Sequence, residues 1–298
     1  MKKGIAIMMI FYSIHLYSQN HEILVGTGYS YYLGELNISN SQGIGRLISE
    51  SLNLKSYKMS YSLGYRYNLK NRLSFGFSYQ LSNIGNYDAD NSEPTDPNDG
   101  MPSVHRNLGF YTAIHQSILD VKFEPFRTET SWNSGKLLVS PFVGVGFGFI
   151  SFNPKTEYQG QEYALRDLGT EGQGLPGYAK KYSLHEIAVP ISIGVKLTPK
   201  HRNFSVSLEW NGNITTTDYL DDVSGKYAAK TDFDNAYGPN SINYILADRT
   251  NEAFPGVYNA KGDPRGRPEQ NDFFVSGQIK FHFYFNSNKS PYYRCYGM

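Results

Sequence analysis

The segment from Asp272 to Phe285 constrains this chain most. One parity carries Phe273, Val275, Gly277, Ile279, Phe281, Phe283 and Phe285, and the other carries Ser276, Gln278, Lys280, His282 and Tyr284. Side chains on a strand alternate between its two faces, so the segment has one greasy wall and one polar wall. A soluble sandwich shows the same alternation. The density of Phe, the length of the run and its place near the chain end favour a transmembrane barrel strand. Such a strand needs about 9–11 residues, with lipid on one side and a polar lumen on the other.

The pattern recurs along the chain. Ile23 to Leu33, Tyr57 to Tyr67, Leu73 to Leu81, a run ending at Phe123, Val139 to Phe149, Ile187 to Leu197 and Phe204 to Trp210 all alternate. Tight links at 69–72 and 198–201 join neighbouring strands as hairpins. The connections run long, short, long, moderate, long, short, long, so the long ones gather at one end. This lopsidedness fits an outer-membrane barrel and not a soluble one. The expected fold is therefore all-β, a single transmembrane antiparallel β-barrel of about eight strands with long extracellular loops. Pro190 removes a ladder donor and should mark a bend or bulge. The Asp-, Asn- and Pro-rich stretch from Gly85 to Pro102 should hold no strand, and Ser241 to Arg249 reads as a short helix.

Composition agrees with that reading. Of 298 residues, 15% are aromatic and 18% charged, and a net charge of +1 offers no basic field for nucleic acid. Lys2 and Lys3 before an apolar run to about Tyr17 and Ser18 describe a secretory signal peptide. The expected organisation is a signal peptide at 1–18, an outer-membrane barrel at 19–286 and a periplasmic tail at 287–298. The single cysteine, Cys295, suggests a free thiol or an intermolecular bond in an exported protein. With Tyr292, Tyr293, Arg294 and Tyr296 it gives the tail an interface-like composition.

Strand parity predicts an interior charge network of Lys58, Arg66, Asp120, Lys122, Glu124, Glu186, Lys196, Glu209 and Lys280. In a narrow barrel side chains fill the lumen, so charges of both signs should pair and plug it. Few motifs point to chemistry. Gly169–Gly174 lacks the following helix and Lys-Ser/Thr pair of a phosphate loop and reads as a flexible loop. Asp218, Asp221 and Asp222 lack calcium-loop spacing and read as a solvated or Arg-paired turn. His115 and His185 with Ser117 and Glu186 could be combined into a hydrolase centre, but no nucleophile elbow is present. No enzyme, cofactor or metal is expected.

Several phrases carry a resemblance. Tyr31–Leu36, Phe152–Lys155, Leu168–Gly174, Leu246–Arg249 and Arg265-Gly266 stand beside Asp218, Tyr219, Leu220, Asp221, Asp222, Val223, Ser224 and Gly225. Together they resemble the PorG family of outer-membrane barrels in the Bacteroidetes type IX secretion system. The resemblance implies a non-enzymatic part of the secretion and gliding machinery, embedded in outer-membrane lipid. It implies partners among periplasmic ring proteins of the PorK and PorN type. The tail would dock on the ring, with Cys295 in an intermolecular disulfide. The alternatives are a general OmpA-like structural or adhesion barrel, and a lipid-modifying enzyme.

Overall fold

A computed structural model describes residues 21–34, 56–69, 72–88, 106–125, 137–199 and 203–285. Strands β1 (His21–Leu33), β2 (Lys58–Leu69), β3 (Leu73–Tyr87), β4 (Gly109–Phe123) and β5 (Leu137–Ser151) follow one another. After them come a small hairpin, β6 (Lys155–Tyr158) and β7 (Gln161–Ala164), and a single helical turn, α1 (Leu165–Leu168). The remaining strands are β8 (His185–Pro199), β9 (Phe204–Thr215) and β10 (Phe273–Phe285). Between β9 and β10 lie α2 (Lys230–Tyr237), α3 (Ile242–Ala247) and α4 (Thr250–Ala253).

Eight strands close into a ring. The order is β3-β2-β1-β10-β9-β8-β5-β4, and β3 pairs with β4 to seal it. Every pairing is antiparallel. Following opposed residues from His21 through Tyr67, Phe75, Val121, Val145, Ile191, Gly212 and Val275 leads back to β1 at Tyr31, ten residues on from 21. That stagger is the shear closure demands, and it goes with strands tilted by roughly 35–45°. Where all eight strands pair, no backbone edge is left for lipid to satisfy.

The polarity is inside out for a protein in water. Leu63, Leu119, Phe147, Ile193, Trp210 and Phe283 all point outward and stand exposed. Ser62, Gln80, Gln116, Asn213, Gln278 and Lys280 point inward and are buried. Alternation that places apolar side chains outside and polar ones inside suits a lipid-facing exterior. Strands of 12–15 residues exceed the length needed to span the hydrocarbon.

Several expectations need correction. β3 continues through Gly85 to Tyr87 by pairing with Gly109–Tyr111, although this stretch was expected to hold no strand. Cross-strand partners outweigh the local turn preference there. The connection at 152–184, one of the long ones, contains the β6–β7 hairpin and α1. Pro190 makes no bulge: the β5–β8 register is the same at Val145–Ile191 and Gly148–Ala188, with only the two pairs between them missing. A missing N–H interrupts the ladder without inserting a residue. The helix expected at Ser241–Arg249 is α3, with α2 before it and α4 after it. The leader at 1–18 and the tail at 287–298, with Tyr292, Tyr293, Arg294, Cys295 and Tyr296, lie outside the described residues.

Candidate functional site

The lumen is layered. Nearest the short-turn end lies a charged layer whose bonds reach across the barrel. Lys196 Nζ bonds both carboxylate oxygens of Glu22, at 2.8 and 2.9 Å. Asn68 and His282 also bond Glu22, at 2.6 and 3.0 Å. Glu209 takes Lys122 at 2.5 Å on one oxygen and Lys280 at 2.9 Å on the other. Arg66 pairs with Asp120 at 2.6 Å and donates to Ser74 at 3.1 Å. Glycine makes room for these long side chains: a Cβ on Gly76 would fall 2.6 Å from the Arg66 guanidinium, and one on Gly144 would fall 2.8 Å from Lys122 Cγ.

Above this layer lies a neutral one. Gln278 bridges Ser62 at 2.9 Å and Ser60 at 2.6 Å, Gln80 reaches Ser276 at 3.0 Å, and Gln116 reaches Asn213 at 3.0 Å. A void of about 10 Å³ among Arg66, Asp120, Lys122, Glu209 and Lys280 is room for about one water. This lumen is a packed core.

Of the residues expected in the charge network, Arg66, Asp120, Lys122, Lys196, Glu209 and Lys280 take part in it. Glu124 is buried at the short-turn end, its N–H bonded to Arg72 O at 2.8 Å. Lys58 and Glu186 stand at the other rim. Glu186 accepts from Thr216 at 3.0 Å, and Lys58 has no carboxylate partner among the described residues. Glu22 and His282 were missed. Glu22 shares inward parity with Leu24, but it precedes the apolar run used to find β1.

At the long-loop end the barrel is closed by a folded cap. Tyr32, Ile84, Phe110, Ile114, Ile150 and Phe274 form an apolar layer, on which Phe152, Leu165, Leu220 and Val223 pack from the loops. Over it sits a buried polar cluster centred on Arg265, 1% exposed. Arg265 reaches Glu171 at 3.2 Å and Asp222 at 3.5 Å, and also bonds the Asp222 carbonyl. Glu171 accepts the N–H groups of Ser224 and Gly225, both at 2.9 Å. Arg106 grips Asp88 with two bonds of 3.0 Å and donates to the Arg265 carbonyl at 2.7 Å. Three connections, at 88–106, 152–184 and 216–272, are thereby tied together.

This overturns one expectation and decides another. Gly169–Gly174 is packed, with Thr170, Glu171 and Gln173 buried. Gly169 caps α1 at φ 65, and a Cβ there would lie 2.5 Å from Gln173 O. The turn at 218–225 follows the Arg-paired reading and not the solvated one: its aspartates are buried, and Asp222 lies 3.5 Å from Arg265.

The same cluster holds protons. The Tyr32 hydroxyl lies 2.7 Å from Asp221 Oδ2 and 2.5 Å from Asp272 Oδ1. One O–H donates to only one of them, so the second short contact needs a protonated carboxyl. Burial pushes Asp221 up to about 7 against the Tyr32 bond, and burial with the Asp221 charge raises Asp272. Burial pushes Asp222 up to about 6 against the pull of Arg265, and Asp218 up to about 8, with Asp221 and Glu171 adding to the latter. Among the described residues no group of three His, Cys, Asp or Glu side chains is placed to hold a metal.

His115 and His185 flank Ser151 across neighbouring strands on the outer face. His115 bonds Tyr79 at 2.5 Å and His185 stacks on Phe149, so neither imidazole engages Ser117 or Glu186. The hydrolase combination is not assembled.

No family model matches this chain, and no curated protein matches it. Among solved structures it is similar to Neisserial surface protein A at 9% identity and TM-score 0.37, covering 89% of this chain and 97% of that one. It is also similar to the N-terminal β-barrel domain of Pseudomonas aeruginosa OprF at 10% and 0.35, covering 89% and 98%. A third likeness is to the Yersinia pestis outer membrane protein Ail at 11% and 0.31, covering 88% and 99%. The architecture described above rests on the closed ladder itself.

Proposed function

We propose that this chain is an integral outer-membrane protein that works without catalysis, as a closed anchor holding a folded cap at one membrane face. One observation carries the reading: a sealed eight-strand ring, apolar outside, is filled inside by ion pairs from Glu22 to Glu209. Such a barrel spans lipid and conducts nothing, so its work falls to the cap and to the opposite face. The test is reconstitution into planar bilayers with heat-modifiable gel mobility as the folding control. A folded barrel without ion conductance supports the anchor, whereas steady channel currents overturn it.

A second reading is favoured by one specific feature. The phrases that resemble the PorG family meet in space: Phe152, Thr170 to Gln173, Asp221 to Gly225, Ala247 and Arg265 all belong to the cap or its apolar base. In this reading the anchor serves type IX secretion and its tail meets ring proteins of the PorK and PorN type, with Cys295 available for a disulfide. Affinity purification from native outer membranes separates the two. A co-purifying periplasmic ring lipoprotein supports the secretion role, and a barrel recovered without companions supports the general anchor.

A further inference from the structure

The barrel wall has a notch at its long-loop rim. β4 pairs with β3 along its whole length, Gly109–Phe123, but with β5 only from His115 to Phe123. Above His115 the β3–β4 hairpin rises without β5 beside it. The β6–β7 hairpin leans across, joined to β4 by the single Tyr111–Lys155 pair and by Glu162, which takes the Tyr111 hydroxyl and bonds Lys155 Nζ at 2.5 Å. Between them lies a cleft of about 710 Å³, open to the outside.

Its lining carries basic side chains. Lys58, Lys155, His115 and His185 line it over a floor that includes Ile84 and Phe152, no Asp or Glu lines it among the described residues, and Lys155 is held by Glu162 at its edge. Lys58 has no carboxylate partner among the described residues. Tyr79 donating to His115 Nδ1 at 2.5 Å would leave Nε2–H as a donor. The outer wall just below is lipid-facing: exposed Tyr79, Phe149 and Ile187 belong to the same belt. A site that is cationic above and continuous with the apolar belt below fits an amphiphile with an anionic head. Lysines and ring N–H groups form short, strong bonds to ionised acceptors, phosphate oxygens among them.

We propose that this cleft binds the phosphorylated head group of a membrane glycolipid, with its acyl chains lying down the outer face of β4 and β5. The inference rests on the membrane-barrel reading. The bound lipid would fill this break in the outer wall and bridge the β3–β4 and β6–β7 hairpins.

The test uses the full protein in detergent micelles, with native mass spectrometry of retained lipid. The probes are diphosphoryl lipid A, phosphatidylcholine and inorganic phosphate as competitor. Lipid A should be retained over phosphatidylcholine, and Lys58→Ala with Lys155→Ala should weaken it by about tenfold or more. Glu162→Gln, which breaks the hairpin clasp but keeps both lysines, should retain it. Heat-modifiable mobility and insertion into liposomes report on the barrel reading separately, so a folded, inserted double variant is informative. Equal retention of lipid A by wild type and double variant, or equal retention of phosphatidylcholine, overturns the proposal. Displacement by equimolar inorganic phosphate would also overturn it, by assigning the site to the free ion.

Discussion

Arg265 and Glu171, 94 residues apart in the chain, meet at 3.2 Å with both side chains buried. Glu171 also receives the backbone of Ser224 and Gly225, so this pair staples the 152–184 connection to the 216–272 connection. The cap is thereby a folded unit of its own, resting on the apolar layer at the mouth of the barrel.

Removing Arg265 should therefore loosen the cap and spare the barrel. Arg265→Met leaves Glu171 and Asp222 as buried charges without their partner, a loss of about 3–5 kcal/mol. Limited proteolysis should then cut within 216–272 while heat-modifiable mobility stays normal. Arg265→Lys should be intermediate, because an ammonium cannot reproduce the guanidinium fork.

The cap should weaken as pH rises. Asp222, Asp221 and Asp218 are pushed up to about 6, about 7 and about 8. An unfolded Asp titrates near 3.9, so folding takes up protons between these limits. Their contribution is full below about pH 4 and is lost as pH climbs through about 6 to 8. Amide hydrogen exchange at Leu220 and Val223 should accelerate over that range beyond its intrinsic rise. Asp272→Asn, which keeps the acceptor for Leu220 N–H and removes a carboxyl that burial and the Asp221 charge raise, should flatten the dependence.

In the lumen, removing one charge should be worse than removing two. Glu22→Leu strands Lys196 and leaves His282 without its carboxylate, at a cost of about 3–5 kcal/mol. Glu22→Leu with Lys196→Met should recover most of that loss, since apolar replacement of a buried pair is often neutral. Urea unfolding in micelles measures both. A double variant as unstable as the single one would show that Asn68 and His282 carry the layer.

The exterior should respond as a lipid face does. Ile193 is 61% exposed, and on a water-facing surface its replacement by Arg would change little. In a bilayer Ile193→Arg should cost up to about 2–4 kcal/mol, depending on its depth. Folding yields into liposomes, compared with yields into detergent, check the difference.

The barrel was legible in the sequence because strand parity is a local property with a period of two. Phe273, Ile279 and Phe283 announce one face and Gln278 and Lys280 the other without any knowledge of neighbours. Strand number and the gathering of long connections at one end follow from counting such runs. The residues that plug the lumen could be named from parity, all but Glu22, which precedes the apolar run, and His282, read only as a polar-face residue. Their partners could not, because Glu22 and Lys196 lie 174 residues apart and meet only once the ring closes with its stagger of ten.

The cap was hidden for a stronger reason. Glu171, Asp222 and Arg265 occupy polar, glycine-rich stretches that look like solvated loops, because no periodicity marks them. Their burial depends on three connections arriving together at the barrel mouth, and desolvation there turns ordinary aspartates into proton holders. Sequence alone determined that the chain alternates and therefore closes against lipid. Tertiary structure decided which charges meet, where the wall is notched and that the loops fold, since those outcomes depend on distances that only closure of the ring creates.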